Sequence, residues 1–419
     1  MCRSRANAAV ILLLTVSGCA RAPRSSLDDE ARQYVRLAVA LGERDPDSLD
    51  FYAGPADLVA DLRRNPPPLV EIRRDAAALT VRLSREPRAD SADAVRARAL
   101  VVDLEALAAR VDLLTGTRLP YDQESRAFFG LAPGPLDERG LSDLRSQVST
   151  IIGGSGRLVD RYGAFAARFT IPGDRLPAVM GAAVDECRRR TVAHLTLPPN
   201  EQVRLEFVHN KPWSAYSRFL GGAHSVLQVN ADFRFTIDQT LQLACHEGYP
   251  GHHTRNVLRE SAVTTTVHGP ERWVQLTFSP SSLVSEASAM EAANVAFSSA
   301  DRVRVERDRL FPIASLSATD VERHVAVERL VGDLQVVQAD VARRYLDGEL
   351  EFVRAVTVLE DQALVPHAEA AIKYMNEYRT YVTTYTAGRI AFAARLAACA
   401  ASHRGEDARW RCFADESVH

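Results

Sequence analysis

Lysine is almost missing from this sequence: Lys211 and Lys373 stand against a background in which arginine carries the positive charge. We read this as a bias of genome composition, not of function. Neither sign of charge is in excess. Acids and bases mix to a formal net charge of -3, with no basic run past the N-terminus, so nothing argues for nucleic acid or an anionic surface as a partner. No Cys-x-x-Cys spacing occurs, which removes the cysteine-based zinc and redox motifs. No glycine-rich loop follows a strand pattern, so no nucleotide cofactor is indicated. Beyond the N-terminus no stretch reaches the roughly 18 consecutive apolar residues of a membrane span, and no internal repeat is visible. What remains is a chain of 419 residues, 46% hydrophobic and 25% charged. These fractions are ordinary for a globular protein, and the length suffices for one large core or two lobes sharing one.

The first residues read as a targeting segment. Arg3 and Arg5 form a short positive region, Ala8 to Val16 is an apolar run too short to span a bilayer, and the run ends in Val16-Ser17-Gly18-Cys19. Small residues directly before a cysteine in this setting resemble a bacterial lipobox. Residues 1–18 are then a lipoprotein signal peptide, Cys19 carries the lipid, and residues 19–28 form a tether. This predicts a protein lipid-anchored at the bacterial cell envelope, facing the periplasm or the exterior. Of the six cysteines, Cys2 leaves with the signal. In an oxidising compartment Cys399 and Cys412 are close enough in sequence to pair. Cys245, preceding a histidine on an apolar helix, reads as a buried free thiol, and Cys187 carries no assignment.

From residue 29 to about 114 the pattern is helical, with apolar residues recurring at three and four in Tyr34-Leu37-Ala38-Leu41 and in Val95-Ala99-Val102. Asn65-Pro66-Pro67-Pro68, the loop Gly130 to Gly140 and Ile171-Pro172-Gly173-Asp174 break this region, which extends to residue 200. From residue 201 the character changes. Val203 to Val208 alternates with period two, and Pro212 to Phe219 and Ser225 to Asn230 read as two further strands around a Gly221-Gly222 turn. Thr236 then caps a helix through Leu241 and Leu243. Beyond about Ser285 the chain is helical again. The expected fold is mainly α, with a small sheet just before one special helix, and with 29–200 and 201–419 joined in one continuous fold.

That helix ends in His246-Glu247-Gly248-Tyr249-Pro250-Gly251-His252-His253. Hydrolysis at zinc needs imidazole and carboxylate ligands, an open position, and a carboxylate beside it as general base. In the common His-Glu-x-x-His spacing the two histidines are four apart on one helical face. Here the fourth residue after His246 is Pro250. Pro250 removes a helical hydrogen bond and Gly251 loosens the next turn, so a bulge or a helix end can swing His252 back beside His246; His253 is the alternative second ligand. The third ligand is expected on a later helix. In Leu283-Val284-Ser285-Glu286-Ala287-Ser288-Ala289-Met290-Glu291-Ala292 two acids stand among small and apolar residues, and buried carboxylates need partners. Glu286 is the expected ligand, with Glu291 as an alternative or as an acceptor behind a histidine ring. The strand Val226 to Asn230, with Val229 and Asn230, is a candidate edge for pairing with an extended peptide. His224 and His268 carry no assignment.

The octapeptide resembles the signature His-Glu-x-x-Pro-Gly-His-His of the bacterial family called "domain of unknown function 885" (DUF885), which is similar in turn to gluzincin-type metallopeptidases such as carboxypeptidase Taq and the oligopeptidases. The resemblance covers residues 201 to 396. The family's apolar-Asn strand end matches Val229-Asn230, its Glu-Gly-Trp-Ala segment corresponds to Glu286-Ala287-Ser288-Ala289 with Gly and Trp replaced, and its Tyr-x-x-Gly corresponds to Tyr385-Thr386-Ala387-Gly388. The resemblance implies a gluzincin-like helical body with a deep cleft, zinc as cofactor, Glu247 as general base, and Tyr385 as a hydrogen-bond donor to the developing oxyanion. Tyr374, Tyr378 and Tyr381 lie near enough to share or take that role. Arg389 is a candidate clamp for a substrate carboxylate.

At this level the expected substrate is a peptide or another small amide, cleaved by a metallopeptidase. Two alternatives stay open: a zinc hydrolase of another envelope amide or ester, and a non-catalytic lipoprotein that binds peptides or partners around a closed, four-ligand metal.

Overall fold

The computed structural model describes residues 26–85, 92–211, 213–265, 269–403 and 405–418. The signal segment, Cys19 and His268 lie outside these described residues. The fold is mainly α. The proline run ends one helix at Arg64 and lets the next begin at Leu69, as the ring constraint of proline requires. In the N-terminal region Ser26–Arg44, Leu69–Arg85 and Ala92–Leu114 bury Tyr34, Leu41, Ile72, Leu79, Leu104 and Leu107 in one core, which Val274 and Leu276 also join. The first of these helices begins inside the expected tether. A larger core gathers the apolar faces of the remaining helices with Leu227, Val229 and Leu241. Among the described residues no helix is long and apolar enough to cross a membrane.

Two small sheets frame the motif helix. In the first, β1 (Leu49–Tyr52) pairs antiparallel with β5 (Val274–Leu276). In the second, β2 (Gln202–Val208), β3 (Ala215–Gly221) and β4 (His224–Asn230) lie in the order β2-β4-β3, with β2 parallel and β3 antiparallel to β4. This corrects the expectation for Val226 to Asn230. The chain passes through β3 before turning back, so β4 is central and β2 and β3 are the edges. Val229 is fully buried, and the Asn230 amide donates to the carbonyls of Lys211 and Trp213. Both therefore hold the sheet together instead of facing a peptide. β1 and β5 escaped the sequence reading because four and three residues are too few to show a period.

Cys245 is not a free thiol. The helix Leu176–Val192 packs along the motif helix and brings Cys187 within 5.6 Å of it between Cα atoms, where the two form a disulfide. Cys399 and Cys412 form a second disulfide between the last two helices. The first closes a loop across a sequence separation of 58 residues, and replacing both of its cysteines with alanine should lower stability by about 2–4 kcal/mol. Denaturant unfolding of the non-reduced protein measures this; an unmoved midpoint would show the cross-link to be energetically idle.

Candidate metal centre

The motif helix Ile237–Glu247 starts at a full capping box, with Thr236 and Gln239 bonding each other's backbone. Its face of Ile237, Leu241 and Ala244 is buried in the large core, which carries His246 and Glu247 into the interior at its last turn. The helix stops there. The Tyr249–Pro250 peptide is cis, and a new helix, His252–Thr265, begins two residues later. Gly251 makes this break possible: a Cβ at that position would lie 1.9 Å from the His246 carbonyl oxygen and 2.5 Å from that of Cys245. Its amide instead donates to the Cys245 carbonyl at 3.0 Å. The helix is thus ended and restarted, not bulged.

The restart places the His252 ring edge-on to His246, centroids 4.8 Å apart. Glu286 comes from the helix Pro280–Ala296. His246 Nε2 lies 3.4 Å from Glu286 Oε2, and His252 Nε2 lies 3.6 Å from Glu286 Oε1. Two ligands of a tetrahedral zinc, with bonds of about 2.1 Å, stand about 3.4 Å apart. The three donor atoms all fall within 4.8 Å of one another. Glu286 Oε2 is buried and has no hydrogen-bond partner, the condition of an oxygen that a cation would satisfy. Residues and spacing both fit zinc.

Behind these side chains sit their supports. His252 Nδ1 meets Ser285 Oγ at 3.3 Å. The Tyr381 hydroxyl donates to Glu286 Oε1 at 2.9 Å and lies 3.2 Å from Ser282 Oγ. Burial works against the charge on Glu286, but His252 and His246 outweigh it and hold the carboxyl well below the usual range. Burial likewise pulls His252 down, yet Glu286, Glu247 and Asp50 drive it up to about 9. The cluster therefore favours positive charge at its centre. Glu247 is buried beside it but supplies no donor to the trio. Burial pushes its carboxyl up, against the pull of His246 and His252, and the Ser217 backbone N–H on β3 bonds to it.

His253 turns the other way. Its Nδ1 meets Ser225 Oγ at 2.8 Å, its Nε2 meets Glu201 at 3.1 Å, and Tyr249 and Arg188 also bond Glu201. It clamps the Pro-Gly turn to the start of β2. Glu291 is not part of the cluster; it bonds Asn294 and the Arg389 guanidinium, the latter at 2.8 Å. Arg389 also reaches Asp333 and the Gly332 carbonyl, so its fork is filled from within the protein, contrary to its expected role as a carboxylate clamp. Tyr385, on a π-helical turn, shares a hydrogen bond with Tyr374 at 3.2 Å and packs edge-on to Tyr381. His224 opens β4 and is not part of the trio. Sequence reasoning missed Ser217, Ser285, Glu201 and Asp50. Asp50 reaches the centre from β1, where its carboxylate feels His252 and Glu286; no local pattern marks it.

No family model matches the chain, and no curated protein matches it. Among solved structures, similar chains include a candidate lipoprotein of unknown function from Shewanella oneidensis, at 11% identity and a TM-score of 0.45 over 95% of this chain and 80% of that one. Another is Trypanosoma cruzi metallocarboxypeptidase 1, at 12% identity and a TM-score of 0.39 over 94% of this chain and 89% of that one. Likenesses this distant leave function to be read from the site.

Two outcomes follow from the break and its clamp. Gly251→Ala should cost about 1–3 kcal/mol by overpacking and weaken metal binding, both measurable by unfolding and metal titration; normal values would mean the turn yields easily. Glu201, raised by burial but held down to about 2 by His253, Tyr249 and Arg188, has a folded pKa below its usual 4.5. Its stabilisation is present above pH 4.5 and is lost as pH falls toward 2. Glu201→Gln should therefore flatten the acid limb of Tm against pH; an unchanged limb would remove the clamp from this account.

Proposed function

We propose that the protein is a zinc-dependent hydrolase, a metallopeptidase that cleaves peptide bonds, anchored at the bacterial cell envelope through a lipid on Cys19. One observation carries the reading: His246, His252 and Glu286 converge at zinc-ligand spacing around an unpartnered carboxylate oxygen, with Glu247 beside them and outside the set. A zinc ion held by these three would leave a position open and supply Lewis acidity to a water and to the substrate carbonyl.

The chain's own groups do the rest. Glu247, raised by burial and oriented by the Ser217 N–H, takes a proton from the attacking water and returns it to the leaving amine. Tyr385 turns its hydroxyl from Tyr374 to the carbonyl oxygen as negative charge grows there, while Tyr381 stays on Glu286. β3, the sheet edge whose backbone bonds Glu247, offers main-chain groups to an extended peptide. That edge favours a peptide over other envelope amides and esters. A closed structural site would need His253 as a fourth donor, and His253 is spent on Glu201 and Ser225.

Metal analysis with activity tests this. Wild type should hold about one zinc per chain, Glu247→Gln should keep it, and His246→Ala should lose it. Glu247→Gln should also lower peptide hydrolysis on the order of 100-fold or more. A wild type that binds no zinc after reconstitution would end the hydrolase reading.

A further inference from the structure

Asp50 is used neither by the ligand trio nor by the proton transfer. It comes from the N-terminal region, and the β1–β5 pairing sets its position. Its neighbour Phe51 stacks on Phe219 of β3 at 5.5 Å and lies under the Arg259 guanidinium at 4.9 Å. The register with β5 shifts between Leu49 and Phe51, so Asp50 sits at an irregularity of the ladder with no register partner of its own. There one oxygen accepts from Gln275 Nε2 at 2.7 Å, and the residue keeps part of its surface accessible. The carboxylate lies within electrostatic reach of His252 and Glu286, and Tyr216 within reach of both Asp50 and Glu247.

The nearby arginines do not occupy it. Arg255 and Arg259 both donate to Gln275 Oε1, at 2.8 and 2.6 Å. Their other bonds go to the carbonyls of Ser417, Val274, Arg272 and Ser281 and to the Ser281 hydroxyl. Two donors on one amide oxygen fix the Gln275 orientation and aim its NH2 at Asp50. Burial pushes the Asp50 carboxyl up, and His252 and the two arginines oppose that shift, the arginines without bonding the carboxylate themselves. Three further arginines are also engaged: Arg110 with Asp45, Arg379 with Glu124 and Arg389 with Glu291. Asp50, with Tyr216 near it, offers a carboxylate and an aromatic ring, the chemistry that recognises an ammonium group.

We infer that Asp50 binds the free α-ammonium group of the substrate, so that the substrate class is peptides or amides cleaved next to an unblocked N-terminus. The amine of an N-terminal residue is two bonds from the scissile carbonyl carbon, and anchoring it at Asp50 brings that carbonyl to the ligand trio and Glu247. This assignment rests on the zinc-hydrolase reading.

The probes are leucine hydroxamate, which carries its own metal-binding group, and its N-acetyl derivative. Calorimetry measures their binding to metal-loaded wild type and Asp50→Asn, with metal content determined in the same samples. Wild type should prefer the free amine on the order of 10- to 100-fold. Asp50→Asn should erase that preference while leaving the N-acetyl affinity and the metal content unchanged. Equal affinities in metal-loaded wild type, or a loss in Asp50→Asn that strikes both probes alike, would overturn the assignment and leave the hydrolase reading standing. A wild type without metal would instead overturn the hydrolase reading and this assignment with it.

Discussion

Two helices that could have been one are held apart by the contact between Gly251 and the carbonyls of His246 and Cys245. Everything at the centre depends on this close approach. In a continuous helix His252, six residues on, would point about 120° around the axis from His246. The break lets the chain reverse its local path within a few residues, and the restarted helix presents His252 at its first position. Glycine is the residue that permits the approach, and Pro250, by withholding a donor, removes the competing helical hydrogen bond.

A turn of that kind, closed inside a protein, needs fixed surroundings. It has them on both sides. Toward the sheet, His253, Tyr249 and Arg188 converge on Glu201; toward the helices, the Cys187–Cys245 disulfide pins the residue just before His246. Glu286 is then held by Tyr381 and Glu247 by the Ser217 N–H. The third histidine of the motif, His253, serves the clamp, which leaves three donors in the trio. A site with three protein donors keeps a position for chemistry.

Much of this was legible in the chain. Alternation marked β2 and β4, the Thr236 cap marked the motif helix, and the Pro-Gly pair marked its end. Two acids in an apolar helix pointed to Glu286 and Glu291, but which of them meets the histidines depends on helix phase and neighbours: Glu291 found Arg389 instead. The edge of the sheet was misread because strand order is a long-range property, and a strand's own residues do not reveal whether it lies between two others. The disulfide at Cys245 was missed for the same reason. Its partner is 58 residues away, brought near only by helix packing.

Asp50 shows the limit most sharply. Nothing in Leu49-Asp50-Phe51-Tyr52 distinguishes that acid from any other in the N-terminal half. Its position follows from the pairing of two very short strands and from Phe51 packing against an edge strand of the other sheet. Those contacts join the two halves of the chain. The N-terminal region therefore does more than cover the site: it supplies a charge to it. Any change that loosens β1 from β5 would move Asp50 away from the centre while leaving His246, His252 and Glu286, all carried by the C-terminal half, in place. The proposed metal site and the proposed substrate anchor are in this way carried by separate parts of the chain.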